Sequence, residues 1–503
     1  MGATLRSRVT VFLPIVFGIC FLIPFTPQPS LAQITFEKTY GGGGNEYGYS
    51  VQATSDGGYI IAGRMIPPGT FRSDAYLVKT DSLGNMLWDR IYGFDMDDCA
   101  YSIQQTPDGG YSAVGYTWSQ TGGAYNVHLL KTDSLGNTLW DTTYGGMAYD
   151  RGYSHQLTVD GGFIITGYKD LLGLNGAEVY LIRTDSLGNV LWDTTYGGSG
   201  DDYGISVQRT LNGGYIVTGY TDSYGEGDQD VYLIKTDSLG NALWERTYGD
   251  STDNWGCSVQ QTPDGGYVVA GRTWVFGTGW HDLYLLKTDS LGDVTWDTTY
   301  GLISRGPYDC WDYSVQLTPD GGFIVAGGIW TYGLREEDVY LLKTDSLGNV
   351  LWEKTYGGKF MEFGHCVQVT SDGGYVIAGT KDPFGNYQYD VYLIKTDSLG
   401  RVVGITEDQE SRKSKIENRK SLQNQPNPFH KSTLISYSLP VPAQVTLEIY
   451  DITGRLVETL VNEKQHPGIH QVRWDRKANP SGVYFCRLRA GDFTDTKKMI
   501  LLR

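Results

Sequence analysis

The stretch that decides the fold is DVYLLKTDSLGNVLW, residues 338–352. Nearly the same sequence occurs seven times in the chain, and a basic residue lies at the centre of each copy. Successive basic residues are 52 positions apart, except for one step of 56. They are Lys79, Lys131, Arg183, Lys235, Lys287, Lys343 and Lys395. A repeat of this length indicates an array of equal structural units.

Each repeat contains four runs rich in Val, Ile, Tyr, Thr and Trp, the residue types that fit a β-strand. We name these runs a, b, c and d; in the fourth repeat they are YGISVQRT, GGYIVTGYT, DVYLIKTD and NALWERTY. Asp-Gly-Gly separates a from b, with Asn212 once replacing Asp, and Asp-Ser-Leu-Gly separates c from d. Glycine supplies the positive φ that tight hairpins require. Each repeat therefore predicts a four-stranded antiparallel meander.

Seven such units without helices predict an all-β fold, a seven-bladed β-propeller of four-stranded blades over residues 33–404. An open β-solenoid is the alternative. The last repeat lacks strand d, and residues 34–42, ITFEKTYGG, match it with Phe36 in place of Trp. We expect this N-terminal strand to complete the seventh blade and close the ring, which protects edge strands that a solenoid would expose.

A Trp in six blades and a Gln in all seven recur at fixed positions and predict packing between blades. A ligand contact by the Gln side chains near the axis is the alternative. The strand d residues are Trp88, Trp140, Trp192, Trp244, Trp296 and Trp352; the strand a residues are Gln52, Gln104, Gln156, Gln208, Gln260, Gln316 and Gln368.

The first 32 residues predict a secretory signal peptide. Arg6 and Arg8 precede an apolar run over residues 9–25 and the small-x-small pattern Ser30-Leu31-Ala32. A transmembrane anchor is the alternative, but two prolines interrupt the run. We expect an exported chain without a transmembrane segment after cleavage.

Charge and cysteine content exclude other classes. The net charge of −17 repels phosphate backbones, so no nucleic-acid partner is expected. Five of the six cysteines follow the signal peptide, an odd number that excludes a fully paired disulfide framework. Cys257 and Cys310 precede strand a in adjacent blades and would pair if their Cα atoms came within about 7 Å.

After the propeller, residues 405–425 are charged and predict a linker. Residues 426–503 alternate strand-like runs with glycine-bearing turns, which predicts a small β-sandwich of Ig-like type.

Separated motifs in this tail carry a family resemblance. They are Pro426-Asn427-Pro428-Phe429, YDITGR with Gly454, PSGVY with Gly482 and Tyr484, and KKMILLR with Lys497 and Lys498. The tail resembles the C-terminal sorting domain of bacterial proteins exported by the type IX secretion system. The resemblance implies the type IX machinery as a partner, transit through the periplasm, and release or attachment at the cell surface. The repeats resemble propellers carried by such exported proteins, which implies fold and location but no activity.

The loops b–c and d–a vary and lie on one face, where binding usually occurs on a rigid scaffold. Six Trp residues fall in these loops: Trp118, Trp255, Trp274, Trp280, Trp311 and Trp330. Five belong to blades five and six, which also carry Phe276, His281 and Tyr332. We hypothesise an aromatic binding patch there, suited to sugar rings. The alternative is that these rings cover the end of the core.

Other candidate sites are less specific. Asp222, Asp228 and Asp230 predict a calcium loop, but an acid recurs before strand c in most blades, which favours a structural role. His128 and His155 occupy strand positions held by Tyr and Val elsewhere, so we expect them to be packed. We assign no catalytic residue and no other metal or cofactor.

Three functions remain open. The first, which we favour, is an exported or surface-attached binding protein, directed at a glycan or a surface protein. The second is a hydrolase or lyase acting on polysaccharide or peptide, favoured by two axial carboxylates with raised pKa. The third is a purely structural surface protein.

Overall fold

The computed structural model describes residues 33–93, 96–119, 123–170, 176–226, 228–275, 280–304, 313–331, 336–402, 422–425, 427–439, 443–465, 468–477, 479–491 and 493–502. These ranges fold into strands and turns with no α-helix. No helix that could cross a membrane is found in them.

Seven sheets of four antiparallel strands follow the repeats, and each has the order a-b-c-d. Sheet one contains β2 (Asn45–Ala53), β3 (Tyr59–Ile66), β4 (Asp74–Thr80) and β5 (Met86–Tyr92); sheet two, β6 (Asp98–Gln105), β7 (Tyr111–Ser119), β8 (Ala124–Thr132) and β9 (Thr138–Tyr144); sheet three, β10 (Asp150–Leu157), β11 (Phe163–Asp170), β12 (Ala177–Thr184) and β13 (Val190–Tyr196). Sheet four contains β14 (Asp202–Arg209), β15 (Tyr215–Thr221), β16 (Asp230–Thr236) and β17 (Ala242–Tyr248); sheet five, β18 (Asn254–Gln261), β19 (Tyr267–Val275), β20 (Trp280–Thr288) and β21 (Val294–Ser304); sheet six, β22 (Ser314–Leu317), β23 (Phe323–Thr331), β24 (Glu336–Thr344) and β25 (Val350–Tyr356). Sheet seven contains β26 (Glu362–Val369), β27 (Tyr375–Lys381), β28 (Asp390–Thr396) and the N-terminal strand β1 (Phe36–Tyr40).

The N-terminal strand is the fourth strand of sheet seven. β1 pairs antiparallel with β28, with Phe36 opposite Lys395 and Tyr40 opposite Val391. Strand a of each sheet contacts strand a of the next, and β2 contacts β26 as well as β6. Sheet one therefore lies against both sheet two and sheet seven.

The repeated aromatic residues of strand d pack between sheets, as predicted. Each contacts the first aromatic residue of strand b in the next sheet, with ring centroids 5.8 to 6.1 Å apart. Phe36 of β1 makes this contact with Tyr59 of sheet one. A Tyr of each strand d, the last residue of the strand except for Tyr300 in β21, also donates a hydrogen bond of 2.6 to 2.8 Å to a glycine carbonyl in the next sheet.

Strand a carries two further links between sheets. The side-chain carbonyls of five Gln residues accept a backbone N–H from strand a of the next sheet: Gln52, Gln104, Gln156, Gln208 and Gln368. Six Ser hydroxyls do the same at 3.2 to 3.3 Å: Ser50, Ser102, Ser154, Ser206, Ser258 and Ser314. In sheet seven the Ser position is Cys366, whose Sγ lies 3.8 Å from the Val51 carbonyl. The predicted structural role of the Gln ring is thus confirmed at these five positions.

The described residues of the tail form seven strands in two sheets. One sheet is β29 (Leu422–Gln425), β30 (Ser432–Leu439) and β33 (Gly468–Asp475); the other is β32 (Leu456–Gln465), β31 (Ala443–Asp451), β34 (Gly482–Ala490) and β35 (Phe493–Leu501). Both contribute to one buried cluster around Trp474, which includes Leu422. The structure therefore places residues 422–425, which the sequence assigned to the linker, in the tail domain.

Candidate functional site

Aromatic rings form a continuous series on the end of the sheets where strand a begins. A β-bulge in strand a, as at Gly48 and Ser50 of sheet one, turns the intervening residue out of the ladder. Tyr49, Tyr101 and Tyr153 occupy this bulge position in sheets one to three. We call the resulting series of contacting rings the aromatic belt.

The belt extends from sheet seven to sheet five. Its successive centroid distances are 5.5 Å (Tyr389–Tyr47), 6.2 Å (Tyr47–Tyr49), 5.3 Å (Tyr49–Tyr101), 5.6 Å (Tyr101–Tyr153), 5.8 Å (Tyr153–Tyr168), 4.7 Å (Tyr168–Tyr203), 4.7 Å (Tyr203–Tyr220) and 4.5 Å (Tyr220–Trp255). The last two pairs are stacked.

Arginine side chains lie over rings of this region. Arg64 is 4.7 Å from the centroid of Tyr47, and Arg272 is 3.5 Å from that of Trp255. Arg151 lies 4.6 and 4.7 Å from the centroids of Tyr116 and Tyr125. In the described part of the chain no carboxylate oxygen lies within 4 Å of the Arg64 or Arg151 guanidinium. Positive charge is therefore held by aromatic faces at this end of an acidic protein.

A solvent-accessible group of rings adjoins Arg151 between sheets two and three; we call it the Trp118 cluster. Trp118, Tyr125 and Tyr149 are mutually 5.0 to 6.3 Å apart, and Tyr149 is 46% exposed. Asp97 accepts a hydrogen bond of 3.2 Å from the Tyr125 hydroxyl and one of 2.9 Å from the backbone N–H of Ser73. The cluster thus combines three rings with a fixed carboxylate and a guanidinium.

Three residues of the predicted patch over sheets five and six can be located with their side chains. Trp255 is half-buried on β18, and its Nε1 donates a hydrogen bond to Oε1 of Gln229 at 2.5 Å. Trp274 and His281 face each other across β19 and β20 with rings 4.8 Å apart. Burial and the charge of Arg272 lower the pKa of His281 to about 4, so this ring is neutral at pH 7.

The other five residues of the predicted aromatic patch lie wholly or partly outside the described structure. Trp280 is in β20 and Trp330 in β23, but their side chains are outside it. Phe276, Trp311 and Tyr332 lie outside the described residues, as does Cys310 of the considered disulfide. The patch therefore stays a prediction.

Buried carboxyls recur where one sheet meets the next. Burial raises the pKa of Asp150 to about 6 and that of Glu362 to about 7, with the Asp338 charge adding to the latter. Burial also raises the pKa of Glu46 and Asp202. All four lie at the start of strand a. Because the feature repeats between sheets, it does not single out a catalytic pair.

The structure shows the burial and hydrogen bonds of the candidate calcium ligands and of the two strand histidines. Asp230 is buried and its Oδ2 accepts from the Glu226 N–H at 2.8 Å, while Asp222 and Asp228 are exposed. No group of three or more His, Cys, Asp or Glu side chains poised to hold a metal occurs in the described ranges. His128 and His155 are both buried, as predicted, and His155 lies between the hydroxyls of Ser102 and Ser112.

Sequence reasoning missed the tyrosines of the belt and Trp118 cluster. The chain contains 37 Tyr residues, and those of strand a recur at repeat positions, where they suggest structural roles. The sequence did contain a signal for these tyrosines. Tyr49, Tyr101 and Tyr153 share one position of strand a, and that position holds no aromatic residue in sheets four and five, so the repeat does not require a ring there.

In the tail, the motifs at its two ends come together. Asn427 Nδ2 donates to the Lys498 carbonyl at 3.0 Å, and its Oδ1 accepts from the Ile500 N–H at 2.8 Å. Phe429 exchanges backbone hydrogen bonds with Ile500 and Leu502. Tyr484 donates to the Pro480 carbonyl at 2.7 Å, and Gly454 takes φ +82° in its turn. Lys497 and Lys498 are exposed, Gly482 begins β34, and Pro426 lies outside the described residues.

Comparison with known families confirms the resemblance of the tail. Residues 425–502 match the family described as the secretion system C-terminal sorting domain. The chain therefore carries a type IX sorting domain, and it is an exported protein, secreted or located at the cell surface. Comparison with curated protein sequences finds no match.

Several solved structures resemble the chain at low identity. PorZ of Porphyromonas gingivalis, a surface component of the type IX secretion system, is 12% identical over 89% of this chain and 69% of its own, with a TM-score of 0.36. The Pan2 WD40 domain of Neurospora crassa is 11% identical over 72% and 98%, with a TM-score of 0.44. The α-L-arabinofuranosidase Arb93A of Fusarium graminearum is 9% identical over 73% and 99%, with a TM-score of 0.39.

Proposed function

We propose that this exported chain is a carbohydrate-binding protein. Its scaffold is a seven-bladed propeller closed by β1, and its ligand face is the end that carries the aromatic belt. The tail, with seven strands in two sheets, has the strand number of an Ig-like domain and directs the chain to the type IX machinery.

The observation that carries this proposal is the Trp118 cluster. A contiguous group of solvent-accessible rings with polar groups at its edge often marks a binding site. Sugar C–H faces pack on such rings, while a carboxylate and a guanidinium supply hydrogen bonds that orient the hydroxyls. Asp97 and Arg151 occupy suitable positions beside Tyr125.

The test is binding of the purified full chain to a panel of soluble and insoluble polysaccharides, with and without calcium. The Trp118→Ala/Tyr149→Ala variant should lose at least about tenfold in affinity, because two stacking surfaces are removed. Phe71→Ala is the matched control, since Phe71 is an aromatic residue with 99% exposure outside the cluster. Equal loss in both variants, or no binding by the wild type, contradicts the proposal.

The patch predicted over sheets five and six is a second candidate surface for the same ligand class. The Trp274→Ala/Trp280→Ala/Trp330→Ala variant tests it independently. If only this triple variant loses polysaccharide binding, the binding site lies over sheets five and six. If the Trp118→Ala/Tyr149→Ala variant loses binding as well, one extended ligand lies along the belt. A protein captured by the belt in place of any polysaccharide would make the chain an adaptor at the cell surface.

A further inference from the structure

The turn between strands a and b of sheet four departs from the repeat at one residue. In the other six sheets this turn carries an Asp that forms an ion pair with the basic residue of strand c, at distances of 2.5 to 3.0 Å. In sheet four the turn residue is Asn212, and among the described residues the buried Lys235 donates only to the Thr236 carbonyl, at 2.6 Å. Lys235 is thus a buried ammonium that lacks the counter-ion of its six equivalents.

The backbone of this turn already fits an aspartate. The Thr210 N–H donates to the Gly214 carbonyl and the Gly213 N–H to the Thr210 carbonyl, both at 2.9 Å, and the other six sheets have the same two bonds at 2.9 to 3.0 Å. Lys235 Nζ lies 2.8 Å from the point that a Cβ on Gly214 would occupy, and in the five other sheets with a lysine this distance is 2.6 to 2.8 Å. A carboxylate at position 212 could therefore pair with Lys235 without a change in the backbone.

The residue after Asn212 is Gly213, and an asparagine side chain is attacked most readily by the next backbone nitrogen when that residue is glycine, which has no Cβ to obstruct the approach. Asn212 and Gly213 are both exposed, so water reaches them. The Thr210 hydroxyl donates to Oδ1 of Asn212 at 2.5 Å, which polarises the side-chain carbonyl toward attack. Position 212 therefore combines a reactive carboxamide with an unhindered nucleophile.

The carboxamide of Asn212 is also less restrained than the carboxylates at its equivalents. In five other sheets the turn Asp accepts a hydrogen bond of 3.0 to 3.1 Å from the N–H of the second glycine. Within the described turn of sheet four, Gly214 makes no such bond to Asn212. The side chain can therefore rotate toward the Gly213 nitrogen at lower cost, once local opening of the exposed turn frees that N–H from the Thr210 carbonyl.

We propose that Asn212 is a site of spontaneous deamidation and that its aspartate product forms the seventh ion pair, with Lys235. The Gly213 nitrogen loses its proton and bonds to Cγ of Asn212, and the side-chain nitrogen leaves as ammonia. Water then opens the cyclic imide. Hydrolysis at the Cγ carbonyl gives aspartate, whereas hydrolysis at the main-chain carbonyl gives isoaspartate, which adds a methylene to the backbone. Only aspartate preserves the two backbone hydrogen bonds of the turn, so the folded sheet favours it.

The experiment incubates the freshly purified full chain at mildly alkaline pH and follows each asparagine by peptide mapping, with fragmentation that distinguishes aspartate from isoaspartate. Asn212 should convert to aspartate, while Asn137, which precedes Thr138, should keep its amide. The Tm should rise by about 1 to 2 °C as conversion proceeds, because an ion pair is gained. The other Asn-Gly of the sequence, at Asn175, is mapped separately.

Three variants make the test specific. Asn212→Asp should have the Tm of the incubated wild type from the start. Asn212→Gln keeps an amide that cyclises much more slowly, so it should keep the Tm of the fresh chain; it also retains Asn175, whose own effect on the Tm would appear in it. Lys235→Met should deamidate at position 212 without a rise in Tm, because its product has no ammonium to pair with.

Two results would overturn the proposal. One is an Asn212 that keeps its amide in the folded chain but loses it when the chain is incubated in urea, which would show that the turn protects it. The other is a conversion that yields mainly isoaspartate, or one that leaves the Tm unchanged or raises it equally in Lys235→Met, which would show that no ion pair is formed.

Discussion

At the scale of single residues, one departure from the repeat removes an ion pair and should lower the free energy of unfolding. In six sheets the buried basic residue of strand c forms an ion pair with the Asp of the a–b turn, as Lys79 does with Asp56 at 2.9 Å. In sheet four, Lys235 is equally buried, but the turn residue is Asn212. Burial lowers the pKa of Lys235 to about 8.

We predict that Asn212→Asp stabilises the protein by about 1 kcal/mol at pH 7, because the buried ammonium gains a half-exposed carboxylate. The folded-state pKa of Lys235 lies below its ordinary value of 10.5, so between about pH 8 and 10.5 the unfolded chain binds more protons. The contribution of Lys235 to stability therefore increases with pH across that interval. Urea unfolding at neutral and at alkaline pH should show this increase in the wild type and a smaller one in Asn212→Asp.

The matched control is Asp56→Asn, which creates in sheet one the defect that sheet four has naturally. It should lower the free energy of unfolding by a similar amount at pH 7. Equal stability of wild type and both variants would mean that Lys235 and Lys79 obtain equivalent solvation without a carboxylate.

At the scale of elements, β1 is the strand whose presence is easiest to test. It covers the edge of β28, places the Phe36 ring against Tyr59, and donates a hydrogen bond from Tyr40 to the Gly84 carbonyl. These contacts join the first residues of the propeller to sheets seven and one.

We predict that Phe36→Ala lowers the free energy of unfolding by about 2 to 3 kcal/mol, since a large half-buried ring is removed from between two sheets. Phe36→Trp, which restores the residue of the other six sheets, should be neutral or stabilising. Thermal and urea unfolding of the purified chain measure both. An unchanged Tm in Phe36→Ala would contradict a structural role for β1.

In the tail, motifs from the two ends of the domain are joined by hydrogen bonds. Asn427 joins the start of the tail to β35 through two hydrogen bonds, and Phe429 continues the connection through its backbone. Residues separated by about seventy positions are thus in direct contact in the folded tail.

At the scale of the whole molecule, the propeller and the sorting tail have separate hydrophobic clusters. We predict that a chain without residues 422–503 folds its propeller but accumulates in the periplasm. Cell fractionation and protease sensitivity measure location and folding. Appearance of the truncated chain in the medium would contradict the role of the tail in export.

The sequence predicted sheet order, turn positions and the pairing of β1 because seven copies of one pattern exclude most other arrangements. It failed at Leu422, where a short strand follows a charged stretch that offers no periodic signal. The Trp118 cluster was missed for another reason: Tyr125 lies in β8 and Tyr149 in the loop between β9 and β10, and a single sequence does not show that their rings meet. Residues of variable loops carry no repeat that fixes their place.

The pairing of β1 with β28 also has a consequence for the order of assembly. Its partners are about 355 positions apart, as the hydrogen bond between Tyr392 and Glu37 shows. Contacts of such long sequence separation form late, because the intervening chain must first be brought together. The first strand of the propeller to be synthesised is thus among the last to pair, and a chain that stops short of the seventh repeat leaves β1 without its partner β28.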